Sequence, residues 1–299
     1  MEVKIDSNLA KSLDKKQLEI LKKFVRKKRE VPIRVVYTGE YWDKIAKDQK
    51  YKLEERELTA LRNSIKKLAK KIGSEKVNII HLGPGNGMET PFILSAIKPS
   101  NVSTYALVDV NSTMLKLSEK RINKVSKSIK VKKFLRDFET YGIKDICKKV
   151  KKNGAKINII VLIANGVLFS NDDLVKEIRN SLDKSDYFYL TLELYENGKD
   201  EEIIKPYLIP SVLNLLSNGL KIIGYAPKYK EFYGEINKKK NLLNIYFAKN
   251  GNKDEKLLVL HSYKPTIKKL KERMKSLKFK EVFCEEYKKV HSTGALYKK

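Results

Sequence analysis

The 299-residue chain has little of what most often announces a function. Its two cysteines, Cys147 and Cys284, lie far apart and neither has a partner at metal-ligand spacing. With only three histidines besides, neither a disulfide scaffold nor a metal site is expected, and the default is a reduced, metal-free, cytoplasmic protein. No run of 18 or more apolar residues occurs, so no membrane span is expected. The opening residues, Met1-Glu-Val-Lys-Ile-Asp, lack the apolar stretch of a signal peptide. No internal repeat and no low-complexity linker is visible. Arginine is scarce, with nine among the 64 basic residues, which outnumber 36 acidic ones for a net charge of +28. Such a charge invites a nucleic-acid partner. Arginine, however, is the side chain suited to bidentate phosphate and base contacts, and the lysines are spread along the whole chain. Nucleic acid is therefore not the favoured partner, and a lysine-biased composition with unspecific affinity for polyanions is the simpler account.

What the chain does have is concentrated between residues 77 and 110. Val-Asn-Ile-Ile-His-Leu (77–82) is a short branched apolar run that suits a buried parallel strand. Gly83-Pro84-Gly85-Asn86-Gly87 follows, and glycines there permit a tight turn and close approach of main chain to a ligand. A helix is expected to start near Thr90-Pro91. Residues 105–108 read as a second strand, with Asp109 at its carboxyl end and Val110 beyond it. Strand, glycine bend, helix, strand and terminal acid make up the nucleotide half-site of a doubly wound sheet, in which the acid accepts hydrogen bonds from ribose hydroxyls. The bend lacks the spacing of a dinucleotide fingerprint and the Gly-Lys-Ser/Thr of a P-loop. Its Gly-x-Gly-x-Gly, with an acid 26 residues after Gly83, resembles motifs I and II of class I S-adenosylmethionine-dependent methyltransferases. A third strand, 131–135, ends in Arg136-Asp137-Phe138, where an acid and an aromatic are placed to hold an adenine. The resemblance implies Gly83, Pro84, Gly85, Gly87, Asp109, Val110, Asp137 and Phe138 as cofactor residues and S-adenosyl-L-methionine as the cofactor.

From about Tyr51 onward the chain resembles, in blocks, the histidine Nα-methyltransferase family of ergothioneine biosynthesis. Glu55-Arg56-Glu57-Leu58 is similar to the family's Thr-Glu-Arg-Glu segment, which follows a substrate-facing tyrosine whose place Tyr51 takes within one residue. Val108-Asp109-Val110-Asn111 resembles Val-Asp-Val-Ser, and Asp137-Phe138 the Asp-Phe adenine clamp. Leu192-Glu193-Leu194 resembles the strand leading into the family's inserted domain, Tyr207 stands where a substrate-binding tyrosine follows, and His261-Ser262-Tyr263-Lys264 resembles the Ser-x-Lys return strand. The resemblance implies Tyr51, Asn165, Tyr207 and Ser262 as substrate residues. It departs at two polar positions. An asparagine that reads the amino acid's α-groups is replaced by Leu168, with Asn165 nearby but displaced, and an imidazole-reading glutamate is replaced by Leu260. A buried polar site that loses its partner discriminates strongly against the cognate group, which argues against L-histidine.

The expected architecture is α/β, a class I methyltransferase (Rossmann-like) doubly wound seven-stranded sheet with additions. Residues 1–72 are read as a helical N-terminal cap packed on the nucleotide domain. Residues 73–194 form the cofactor-binding core, 195–262 a small inserted α+β domain, and 263–299 a return helix and a C-terminal antiparallel hairpin. Within the insert, β-like runs fall at 220–225, 243–247 and 257–263. The leading expectation for function is N-methylation of a small-molecule acceptor. Modification of RNA, DNA or protein stands as the alternative, although the absence of Asn/Asp-Pro-Pro-Tyr/Phe after the fourth strand argues against adenine-amino methylation. A non-catalytic cofactor-binding module and transfer of the aminocarboxypropyl arm also stay open.

Overall fold

The computed structural model describes residues 15–32, 39–48, 50–152, 154–163 and 166–299. Among the described residues ten strands are formed: β1 Val77–Leu82, β2 Val102–Asp109, β3 Lys130–Leu135, β4 Ile157–Leu162, β5 Tyr187–Glu193, β6 Phe232–Asn237, β7 Leu242–Phe247, β8 Leu257–Tyr263, β9 Lys280–Tyr287 and β10 Ser292–Lys298. They make a seven-stranded sheet in the order β3-β2-β1-β4-β5-β10-β9 and a three-stranded sheet in the order β6-β7-β8. The chain divides into two compact units, one comprising residues up to Lys52 together with Asn197–Tyr263, the other Leu53–Glu196 together with Lys264–Lys299.

In the larger unit β1 to β5 are parallel, and the final hairpin β9–β10 adds antiparallel to β5. The central strands β1 and β5 are buried at every residue, as covered parallel strands must be. Their continuous apolar runs follow from that burial. One face is closed by the helix Lys52–Ile72, whose Leu58, Leu61, Ile65, Leu68 and Ile72 join Ile79, Tyr105, Tyr189 and Leu296 in one core. Each such side chain contributes about 1.5–3 kcal/mol when removed from water. The helix passes close over β5 and β10, and Ser64 Oγ meets the hydroxyl of Tyr189 on β5 at 2.6 Å. A Cβ on Gly294 would lie 2.0 Å from that same Ser64 Oγ, so only glycine fits.

The smaller unit contains the helix Pro210–Ile222 and the three-stranded antiparallel sheet. The N-terminal segment completes it. Val31 N–H donates to Leu258 O and Leu258 N–H to Arg29 O, each at 2.8 Å, so the chain pairs with β8. The helix Gly39–Lys47 packs on Pro210–Ile222 and buries Ile45 fully.

Two expectations change here. The 1–72 cap is not one piece. Its last helix lies on the large sheet because its apolar stripe matches that face, whereas its earlier helices belong with the insert. The β-like run at 220–225 is the end of a helix and a turn. Leu213, Leu216, Leu220 and Ile223 keep helical spacing and are buried, and Gly224 turns the chain at φ +85°. The missing strand of that sheet is β6 instead.

Candidate functional site

The glycine bend leaves β1 with its main chain tied to the neighbouring strand tips. Gly83 N–H donates to Val108 O and Arg136 N–H to Asp109 O, both at 2.8 Å, so the ends of β1, β2 and β3 are held level. Gly83, Gly85 and Gly87 all take positive φ, at 58°, 53° and 77°, a region that other residues enter at a cost. At Gly87 space is limiting too, since an added Cβ would sit 2.8 Å from the Ser118 Cα. Ser118 Oγ donates to Gly85 O at 2.9 Å and Arg121 donates to Asn86 Oδ1 at 3.2 Å, so the helix Ser112–Val125 fixes the bend from below. Pro84 is buried within it.

Asp109 closes β2 with 5 % of its surface exposed. Its carboxylate accepts from Asn111 N–H at 2.8 Å, and the N–H groups of Gly85 and Val110 also face it. Burial pushes its pKa up to about 6 in spite of those donors. The arrangement is a sealed carboxylate aimed by main-chain donors beside a bend without side chains, which suits vicinal hydroxyls of a ribose. Asn111 then caps the next helix through Thr113 and Met114 N–H. His81, the penultimate residue of β1 before the bend, is buried against the Tyr105 hydroxyl at 3.1 Å. Burial brings its pKa down to about 3, which keeps it neutral.

Asp137 stands at the tip of β3 and caps the short helix Phe138–Tyr141, accepting from Glu139 N–H, Thr140 N–H and the Thr140 hydroxyl. The Phe138 ring is turned into the core at 4 % exposure, while Leu135 and Tyr141 on either side are exposed. The four acceptor residues expected from the sequence divide as follows. Tyr51, Tyr207 and Ser262 belong to the smaller unit, and Asn165 lies outside the described residues. Tyr51 is half-buried with its ring edge-on to Trp42 at 6.2 Å, and Tyr207 and Ser262 are buried at 6 % and 2 %.

Sequence reasoning missed a second group of charges in the larger unit. Glu193, the last residue of β5, is fully buried and bridges two cations, Arg56 at 3.1 Å and Lys264 at 2.5 Å. Beside it Glu57 is 4 % exposed. Desolvation lifts its pKa to about 8, opposed by Lys264 and reinforced by the charges of Glu193 and Glu89. One signal was available. Glu57 is in phase with Leu61, Ser64 and Leu68, the buried stripe of its helix, where a free glutamate is out of place. Three of the blocks that carried the family resemblance, at Arg56-Glu57, Glu193 and Lys264, therefore converge on one cluster.

Residues 15–207 match the model of a family described as histidine-specific methyltransferase, SAM-dependent. The chain belongs to that family. No curated protein matches it in sequence. Among solved structures it is similar to the CurJ carbon methyltransferase, with 12 % identity, a TM-score of 0.50, and coverage of 95 % of this chain and 70 % of that one. It is also similar to an S-adenosylmethionine-dependent methyltransferase from Clostridium acetobutylicum (12 % identity, TM-score 0.46, 95 % and 97 % covered). A third likeness is to the magnesium protoporphyrin IX methyltransferase from Synechocystis with bound S-adenosylhomocysteine (8 % identity, TM-score 0.48, 95 % and 100 % covered). The sheet of this methyltransferase is the Rossmann-like sheet of class I, and its cofactor is S-adenosylmethionine. The residues fit that cofactor: a bare bend for close main-chain approach and an oriented acid at the neighbouring strand tip. Among the described residues no helix is long and apolar enough to cross a membrane, and no cluster of metal-ligating side chains occurs.

Proposed function

We propose that this methyltransferase N-methylates a small molecule bearing an amine, an amino acid or related metabolite, and that the acceptor is not histidine. The family description supports an amino-acid-like acceptor. Leu168 and Leu260 support the exclusion, because they put aliphatic groups where the resemblance calls for an amide and a carboxylate. When bound, S-adenosylmethionine supplies a methyl group on a cationic sulfur; the chain's own part is to position the reactants and keep water out. Asp109 holds the ribose, the bend from Gly83 to Gly87 admits the main chain to the ligand with Pro84 stiffening it, Val110 lies alongside, and Asp137 with Phe138 takes the adenine. Tyr51, Tyr207 and Ser262 offer hydroxyls to the acceptor, whose amine must shed a proton before it reacts.

The observation that carries the reading is the buried Asp109 carboxylate, fixed by main-chain donors next to three positive-φ glycines. The test is mass spectrometry of a metabolite extract incubated with enzyme and deuterium-labelled adenosylmethionine, with and without nuclease. A labelled low-mass amine that survives nuclease treatment, and that disappears with Asp109→Ala, is expected. Histidine as the preferred acceptor, or activity lost with the nucleic acid, would overturn the assignment.

A further inference from the structure

Glu57 is the one member of the Arg56–Glu57–Glu193–Lys264 cluster with an oxygen left over. Glu193 spends its two oxygens on Arg56 and Lys264. Glu57 Oε2 is sealed from solvent and has no hydrogen-bond partner among the described residues. A buried acid in that condition is costly to keep, and native structures rarely keep one without a use. Its surroundings include the cations Lys264 and Arg56 and the acids Glu193 and Glu89. Two acids and one ammonium act on Glu57, and a carboxylate so placed is matched by a further cation that can donate a hydrogen bond.

Position says which cation. In the order β2-β1-β4-β5, Asp109 ends β2 and Glu193 ends β5, while Glu89 follows the bend after β1. Glu57 lies beside Glu193, accepting from its main-chain N–H while the adjacent Arg56 pairs with the Glu193 carboxylate, so it stands towards the β5 end of this row, on the far side of the bend from Asp109. Neighbouring strands are about 4.8 Å apart and β5 is three spacings from β2, so Glu57, between the bend and the tip of β5, is roughly two to three spacings from the ribose acid. A ligand with its ribose on Asp109 that runs across the bend presents its opposite end there. We propose that Glu57 receives the ammonium group at the amino-acid end of the adenosyl cofactor, the hydrogen-bonding cation that the ligand carries away from its ribose. The inference rests on the family's cofactor and is independent of which acceptor is methylated.

Pairing with an ammonium favours the ionised carboxylate, so below pH 8 the binding event expels the proton that burial keeps on free Glu57. S-adenosylhomocysteine carries the ammonium; 5′-methylthioadenosine has the same adenosine and thioether without it. Calorimetric titration of the full chain from pH 6.5 to 8, in buffers of low and high ionisation enthalpy, separates the two. Adenosylhomocysteine is expected to release close to one proton, its affinity rising about tenfold per pH unit, and methylthioadenosine to do neither. Asp109 titrates lower and faces the ribose, so it affects both ligands alike. Glu57→Gln, a neutral isostere of the protonated acid, is expected to abolish the proton release and weaken adenosylhomocysteine selectively. Equal proton release with both ligands, or an unchanged pH slope in Glu57→Gln, would overturn the proposal. The comparison in wild type stands even if the variant does not fold. Failure of wild type to bind either ligand would instead strike at the cofactor site built on Asp109.

Discussion

Alanine at Gly87 tests the glycine bend where two separate costs can be told apart. The first cost is conformational: Gly87 sits at φ +77°, and an L-residue held in the left-handed region loses roughly 1–2 kcal/mol. The second is steric. The new Cβ would stand 2.8 Å from Ser118 Cα and from Ser118 Oγ, and although a hydroxyl can rotate away a Cα cannot. Forcing a helix to yield to one extra carbon costs about 1–3 kcal/mol. Gly73 supplies the control, because it has φ +64° and open space around it, so Gly73→Ala carries the first cost alone. Both glycines lie in the larger unit, and the comparison stays within that unit. Urea unfolding followed by circular dichroism should place Gly87→Ala below Gly73→Ala by about 1–3 kcal/mol, at unchanged slope. Calorimetry with S-adenosylhomocysteine should show weakened binding for Gly87→Ala alone, since the helix that must give way also anchors Gly85 through Ser118. Equal stability losses in the two variants would refute the claim that close approach, and not only backbone freedom, selects glycine at position 87.

Two further outcomes follow from the same unit. Gly294→Ala should destabilise by about 3 kcal/mol, since its Cβ would lie 2.0 Å from Ser64 Oγ and 2.3 Å from Ser64 Cβ; adding Ser64→Gly should recover part of the loss in a double-mutant cycle, and strict additivity would count against the contact. Glu57 has a folded pKa raised from 4.5 to about 8, so the folded state holds its proton more tightly and this group's contribution, full below pH 4.5, is lost as pH rises to 8. Without ligand, Glu57→Gln should therefore gain on wild type by about 1.4 kcal/mol per pH unit across that window, read from denaturation midpoints; parallel pH profiles would show that Glu57 is not buried as described.

Strands β1, β2, β4 and β5 were legible in the sequence because a strand covered on both faces needs a largely apolar run. The caps at Asn111, Asn171 and Thr266 are local features too, since each bonds N–H groups two or three residues ahead. Partnership over distance was not. The periodicity of Lys52–Ile72 shows that one side is apolar, but it cannot say whether that side meets the large sheet or the helices before it. The run at 220–225 was too short for periodicity to separate a strand from the last turn of a helix. The small unit's use of the N-terminal segment was hidden for the same reason, because the pairing of Glu30 with Leu258 joins residues remote in sequence.

The charges of the site share one property that ties these observations together. Asp109 and Glu193 end strands that are otherwise apolar, and Glu57 stands on the buried stripe of its helix. In each case the local pattern requires an apolar residue and the sequence supplies an acid. Such conflicts weaken a fold, so they persist where the charge has work to do. Asp109 meets the cost with main-chain donors and Glu193 with Arg56 and Lys264. Glu57 Oε2 has neither main-chain donor nor cation to meet its cost, which makes it the place in this cluster where the structure asks for a ligand.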